Sequence, residues 1–504
     1  MSRRKEPPQN VRQSRTSLAP EKSSRASRTG SLPEKSSRTT RTSSLPEKSS
    51  RTSRMSSPDK PSRAARSSGV PQRNSREPSV RISTPSIRLS TPNARVSKAP
   101  EPVIEPRSIV TGPFDPVLCA IVWALVFFGV VMVYSSSAVL ASQGAHGDGT
   151  RYLMRQGLFA LGALPLMHFV ARVDYHRLRT LKYPLMMITV GLLAFVALGL
   201  GHTAGGSARW IKLGPIHVQP VEIAKIVWVC VLADSLSRKT ASIRSFSVGF
   251  LPHLIGAGLL AGLCLKQPDF GSAVMIILIT FCMLFAAGAR LGYLLLAALA
   301  AVPAALVLVH GSEYRMRRWE AFLKPYEHRQ DIGYQLWESM MGFGTGGMKG
   351  VGLGYSSRKL LFLPEAHTDF ISAIIGEELG FIGFLALALV FAFLLARGLR
   401  AALRSVDEFG TYIAIGLTLL VGIQAATNLA VAVGLLPTKG LVLPFISYGG
   451  SSLVMNCVAM GIVLNVSRPR ISVADAAVGG ALAKSQSEGL SRNKLPNVAA
   501  GGVS

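Results

Sequence analysis

An aspartate stands where a polar segment gives way to an apolar one. Asp369 lies in PEAHTDF (Pro364 to Phe370), at the end of a polar, Gly-rich stretch running from Gly311 to Thr368. The chain then continues as FISAIIGEELGFIGFLALALVFAFLLA. A carboxylate at such a boundary needs a solvated pocket or a cationic partner, because an isolated charge in hydrocarbon costs several kcal/mol. With cations beside it, the group can act as a general base toward an alcohol. The same cations would stabilise a departing phosphate.

Other polar groups flank apolar runs in the same way. Glu222 and Lys225, at i and i+3 after Pro220, share a helical face and can pair; they read either as a structural ion pair or as the wall of a polar cavity. Asp269 follows Gln267-Pro268 at the expected start of a helix, where it either caps the helix or joins a site. Arg209 and Trp210 follow a GGS turn, and Arg315, Arg317, Arg318 and Lys324 form a basic run suited to phosphate contacts or to a solvated face. Glu377 and Glu378 lie deeper in the run after Asp369, and one of them is expected to face the protein interior. The five cysteines all fall in or at the ends of apolar runs without a CxxC pair, and the nine histidines show no metal-ligand spacing. No Walker, GxSxG or HExxH signature is present.

The elements that must position these groups are membrane helices. Runs of about 18 or more apolar residues recur, enough to cross about 30 Å of hydrocarbon. Ten spans are expected, near 116–140, 156–171, 184–201, 218–234, 249–266, 270–288, 292–310, 370–396, 411–434 and 451–467. The fold class is therefore an all-α polytopic membrane protein with a long extracytoplasmic loop between the seventh and eighth spans. Arg and Lys cluster after the second, fourth, sixth, eighth and tenth spans, which places both termini in the cytoplasm. GGSARWIKLGPIHVQPVE, KQPDFGSA, PEAHTDF and LPTKGLVLPFISYGGSS then all face outward. Polar motifs on one face disfavour a transporter, which would carry polar groups at mid-depth.

Residues 1–107 hold 24 Lys and Arg against 8 Asp and Glu, and so carry 16 of the 28 net positive charges. Such a segment cannot bury enough apolar area to offset its ordering entropy and is expected to be disordered. PEKSSR recurs at Pro20, Pro33 and Pro46, with PDKPSR at Pro58. The repeat reads as a duplicated linker, or as a contact for anionic head groups or an acidic partner. Nucleic acid is disfavoured because no aromatic residues are interleaved for stacking. Three regions follow: a basic cytoplasmic tail (1–107), a transmembrane domain (108–470) and a flexible C-terminal tail (471–504).

Seven motifs in order, GSARW (206–210), QPVEIAK (219–225), KQPDFG (266–271), GYQLWESMMGFGTGG (333–347), GVGLG (350–354), LPEAHTDFISAIIGEELG (363–380) and PTKGLVLPFISYGGSS (437–452), resemble the SEDS family of membrane glycosyltransferases, named for shape, elongation, division and sporulation. PEAHTDF followed by GEELG is similar to the cell-division branch. The resemblance spans roughly residues 110–470 and leaves the basic tail unexplained. It implies an inverting peptidoglycan glycosyltransferase that polymerises lipid II into β-1,4 glycan on the outer face of the cytoplasmic membrane, at the division septum. It also implies a class B penicillin-binding protein and other divisome proteins as partners. Asp369 matches the family's essential aspartate. The resemblance further implies substrate-binding roles for Arg209, Trp210, Glu222, Lys225, Asp269, His367 and Lys439, and allows a divalent cation such as Mg or Mn. The residues alone leave open a lipid-linked-sugar flippase or a non-catalytic division scaffold.

Overall fold

The computed structural model describes residues 108–142, 149–204, 207–214, 216–360 and 362–472. The expectations for the basic tail, and for all but the first two residues of 471–504, lie outside these. The described chain opens with strand β1 (Ser108–Val110) and helices α1 (Pro116–Ser142), α2 (Arg151–Arg172) and α3 (Arg177–Phe195), the last running into a π turn (Val196–Leu200). Strands β2 (His202–Ala204), β3 (Ser207–Leu213) and β4 (Ile216–Val218) form an antiparallel sheet. Helices α4 (Pro220–Arg238), α5 (Leu251–Lys266), α6 (Phe270–Ala286), α7 (Leu291–His310), α8 (Glu313–Leu323), α9 (Tyr334–Gly346), α10 (Ile371–Leu403), α11 (Glu408–Ala432) and α12 (Gly450–Val466) follow, and β5 (Arg470–Ser472) closes the order.

The molecule is a polytopic α-helical membrane protein. Seven of its described helices are long and apolar enough to cross a membrane by length and composition: α1, α2, α3 with its π turn, α5 with the turn before it, α7, α10 and α11. The other three expected spans are helical but fall short of that test. Helices α6 and α12 are apolar at 17 residues each, and α4 carries Glu222, Lys225, Asp234 and Arg238. The expected ten are thus all helices, and seven meet the requirement for a span.

Helix α2 packs on α12, α10 on α11, and α4 between α3 and α11. Small residues permit the close approaches that membrane bundles rely on: a Cβ on Gly461 of α12 would come within 2.7 Å of the Met167 carbonyl of α2. By contrast, α7 buries none of its most apolar stretch against protein and presents Leu295, Leu299 and Val307 outward.

Two expectations change. The stretch between the seventh and eighth spans is not an irregular loop, because it contains α8 and α9. On α8 only Ala321 is buried, so its apolar signal is slight. The segment after the third span, read as an outer loop, forms β2–β4.

Helix α10 is broken at Gly380 (φ 68°, ψ −170°), a conformation open essentially to glycine alone. The freed main-chain groups find partners in the segment after α9. The amides of Phe381 and Ile382 donate to the carbonyls of Gly347 (2.8 Å) and Met348 (3.2 Å), and the amides of Val351 and Gly352 donate to Glu377 and Glu378 (3.0 Å each). Exposed main-chain polar groups are not tolerated in hydrocarbon, so a broken helix needs such a partner segment. Both Glu377 and Glu378 are fully buried and both are paired, where one buried acid was expected. Glu377 accepts from Ser356, from the amide and hydroxyl of Ser357 (3.1 and 2.8 Å) and from the Arg358 amide (3.3 Å). Glu378 accepts from Ser135 (2.7 Å) and pairs with Lys359 (3.1 Å). The first helical half of α10, directly after Asp369, is thereby clamped. At the opposite end of the bundle β1 pairs antiparallel with β5, Ser108 opposite Ser472.

Candidate active site

Asp369 sits in a turn that begins at Glu365, whose φ of 56° reverses the chain. The Thr368 amide donates to the Glu365 carbonyl (3.1 Å) and the Thr368 hydroxyl to the Glu365 carboxylate (2.9 Å). Three consecutive carbonyls of this turn are then held from outside it. That of His367 accepts from the Tyr448 amide (2.9 Å), that of Thr368 from the Ser447 hydroxyl (2.6 Å), and that of Asp369 from the Asn428 side-chain amide (2.9 Å). The main chain is fixed on its protein side.

The Asp369 carboxylate itself receives no hydrogen bond from the described residues, and part of its surface stays open. Gly440 lies against it, a Cβ there falling 3.1 Å from Oδ2. Burial, with Glu365 adding to it, pushes the Asp369 carboxyl up to about 7, while the guanidinium groups of Arg318 and Arg209 pull against that rise. A carboxyl poised near neutrality, beside two arginines, is suited to accept a proton from a hydroxyl.

The other expected residues divide into two groups. Arg209, on β3, donates through Nε to the Gln267 carbonyl (3.2 Å) and through its guanidinium to the Pro268 carbonyl. Trp210, half-buried, follows it on β3 opposite His202. Asp269 caps α6, accepting from the Ser272 amide (3.0 Å) and hydroxyl (2.8 Å). Lys439 lies 5.2 Å from the Phe270 ring centre, and burial pulls its pKa below the usual lysine range. Arg209, Asp269 and Lys439 thus converge on the Asp369 turn through the segments 267–270 and 439–440.

Glu222 and Lys225 are engaged with each other and with α11. They pair at 2.9 Å, buried in the bundle, and Lys225 also donates to Gln424 (3.0 Å) on α11. Gln424 in turn donates to the Val442 carbonyl (3.0 Å), so the pair props the loop from beneath. The His367 ring is buried 4.7 Å from Tyr152 and 5.6 Å from Tyr448, and burial lowers its pKa; it packs as a neutral ring.

Arg318 stands out only in the structure. Within its basic run Arg317 pairs with Asp331, and Lys324 with Glu327 (3.1 Å). Arg318 instead donates to the Thr438 carbonyl (3.4 Å) and faces the site. Helical spacing separates Arg318 from Arg317 on α8 but does not say which of them faces the site. Gln424 and Asn428 are a second omission, and their signal is two amides at i and i+4 in an apolar helix. Among the described residues no cluster of three or more His, Cys, Asp or Glu could hold a metal ion, and the Asp269 oxygens are already used in its cap. These donors do not make a resident metal site.

A family profile described as cell cycle protein, covering FtsW, RodA and SpoVE, matches residues 116–471. A Trichlorobacter lovleyi protein named "Probable peptidoglycan glycosyltransferase FtsW" is 45% identical over 359 residues, covering 70% of this chain and 93% of that one. Stage V sporulation protein E of Bacillus subtilis is 40% identical, covering 70% and 97%. Among solved structures, a peptidoglycan synthase complex described as coordinating polymerization and crosslinking matches with a TM-score of 0.59 at 29% identity, covering 70% of this chain and 97% of that one. The rod shape determining protein RodA of Thermus thermophilus matches with a TM-score of 0.52 at 28% identity, covering 70% and 96%.

Proposed function

We propose, since this chain belongs to the cell cycle protein family of FtsW, RodA and SpoVE, that it is an inverting peptidoglycan glycosyltransferase that polymerises lipid II on the outer face of the cytoplasmic membrane. The observation that carries the reading is the Asp369 carboxyl, borne on a turn whose three carbonyls are held by Tyr448, Ser447 and Asn428 and lying within electrostatic reach of Arg209 and Arg318. The donor is the growing glycan on undecaprenyl pyrophosphate and the acceptor is the 4-hydroxyl of the incoming GlcNAc. Asp369 takes the hydroxyl proton as O4 attacks the anomeric carbon. The bond from that carbon to the pyrophosphate oxygen breaks, the electron pair leaves with the pyrophosphate, and the α-linked donor becomes a β-1,4 linkage. Arg209, Arg318 and Lys439 receive the developing phosphate charge. Among the described residues no three His, Cys, Asp or Glu side chains gather to hold a metal, so no step is routed through a divalent cation; one arriving with the pyrophosphate would be held chiefly by substrate oxygens.

The same reading places both termini in the cytoplasm, recruits the protein to the division septum with other divisome proteins, and pairs it with a class B penicillin-binding protein that cross-links the product. Its test is polymer formation from purified lipid II by the protein with that partner, the transpeptidase blocked and moenomycin present to silence contaminating polymerases. Wild type is expected to make glycan polymer and folded Asp369→Asn none. No polymer from either, where a related enzyme works, would replace this reading by a flippase or a scaffold. Polymer from both would keep the activity and remove Asp369 from its role.

A further inference from the structure

Helix α11 carries a buried amide, Asn428, whose two donors and oxygen are all engaged by the Asp369 turn and its neighbours. The Asn428 amide nitrogen donates to the Asp369 carbonyl (2.9 Å) and to the Leu441 carbonyl (2.7 Å), and its oxygen accepts from the Ser372 hydroxyl (2.8 Å) in the first turn of α10. Two main-chain carbonyls on one side demand the NH₂ there, so the amide can be oriented only one way. Three pieces of backbone therefore meet at one side chain: the residue bearing the carboxylate, the helix that starts two residues later, and the loop that brings Lys439 and Gly440 alongside.

A buried asparagine in a membrane bundle has a simpler explanation as glue between helices. That explanation fits poorly here, since two of the three partners are carbonyls outside regular helix, and one belongs to Asp369 itself. The pinning is also repeated: Ser447 donates to the Thr368 carbonyl (2.6 Å) while accepting from the Leu443 amide (2.8 Å), so a second side chain joins the same two loops one residue away. With the carbonyls of residues 367, 368 and 369 all held, the carboxylate beyond them has a defined outlet.

We infer that Asn428 is a positioning residue for the glycosyl transfer, holding the Asp369 main chain so that its carboxylate meets the acceptor hydroxyl, with Ser447 as its auxiliary. The inference rests on the reading of Asp369 as the general base. Displacing a reacting group by about 1 Å costs on the order of 100-fold in rate, whereas loss of helix glue lowers stability and leaves the turnover of the folded fraction alone.

The test is polymerisation of lipid II by full-length protein with its transpeptidase partner, for wild type, Asn428→Ala and Ser447→Ala, with kcat and KM normalised to folded protein across a pH series. For Asn428→Ala, kcat is expected to fall roughly 10- to 100-fold with KM changed by less than about 3-fold. The acid limb of its pH profile should move to lower pH, because a released turn lets water reach a carboxyl that burial had raised. Ser447→Ala should show the same pattern more weakly, and it carries the test if Asn428→Ala does not fold. Wild-type kcat and an unmoved limb in the folded variants, whatever their melting temperature, would overturn the inference and leave the polymerase reading standing. A wild type that makes no polymer would instead overturn the polymerase reading, and the inference with it.

Discussion

At Asp369 burial and Glu365 hold the proton on, while Arg318 and Arg209 draw it off. Only the ionised form can accept the acceptor's proton. Initial polymerisation rates should therefore rise about tenfold per pH unit below 7 and level off above it. Arg318→Ala removes an attraction for the carboxylate and should move that limb upward; Glu365→Gln removes a repulsion and should move it downward. A limb that ignores both substitutions would show that another group titrates. The same shift bears on stability with the opposite sense. A carboxyl whose folded pKa is raised favours folding below the unfolded value of about 4 and loses that contribution as pH rises through about 7. Asp369→Asn should accordingly melt higher than wild type at pH 8 and show no advantage at pH 4, as followed by thermal unfolding in detergent; an active site held at the expense of stability is a common arrangement. The acid was legible in the sequence because a carboxylate at the edge of an apolar run is costly wherever it lies. Arg318 was not, because Arg315, Arg317 and Lys324 have the same chemistry within ten residues and only packing selects among them.

Among the elements, apolar length announced the helices and said nothing about the break in α10. GEELG reads as uninterrupted helix, and the break exists because Gly347–Gly352, some thirty residues upstream, supplies the missing main-chain partners. The same distance hid the fate of Glu377 and Glu378, whose partners Ser356 to Lys359 belong to that docked segment. Glu222 and Lys225 were legible as a pair, since i,i+3 spacing is local, but their connection through Gln424 to the Val442 carbonyl required α11 to be placed. The docked segment makes a stability prediction. Lys359→Met leaves Glu378 buried without its cation, a change that costs about 3–5 kcal/mol in buried pairs. Adding Glu378→Gln should recover part of that loss in thermal melts. Equal melting temperatures for wild type and Lys359→Met would mean that Ser135 alone satisfies Glu378.

Across the whole bundle the two ends differ in how fully their charges are matched. At one end Asp234 is surrounded by Arg179, Lys182 and Arg238, Asp174 by His176 and Arg470, and Asp407 by Tyr175 and His176. At the other end the Asp369 carboxylate has no described donor. On the proposed topology the basic, saturated end lies in the cytoplasm and the other outside. Cysteines placed at exposed Glu327 and Arg177 test this with a membrane-impermeant maleimide on intact cells: Glu327→Cys should react at once, and Arg177→Cys only after permeabilisation. The native cysteines are quiet background, four being buried and Cys282 half-buried. Reversed labelling would invert the topology and move Asp369 to the cytoplasmic side. The β1–β5 pairing adds a consequence of its own. Residues 108 and 472 stand side by side across a single strand pair. Chromophores fixed at these two positions would act as one beacon rather than two.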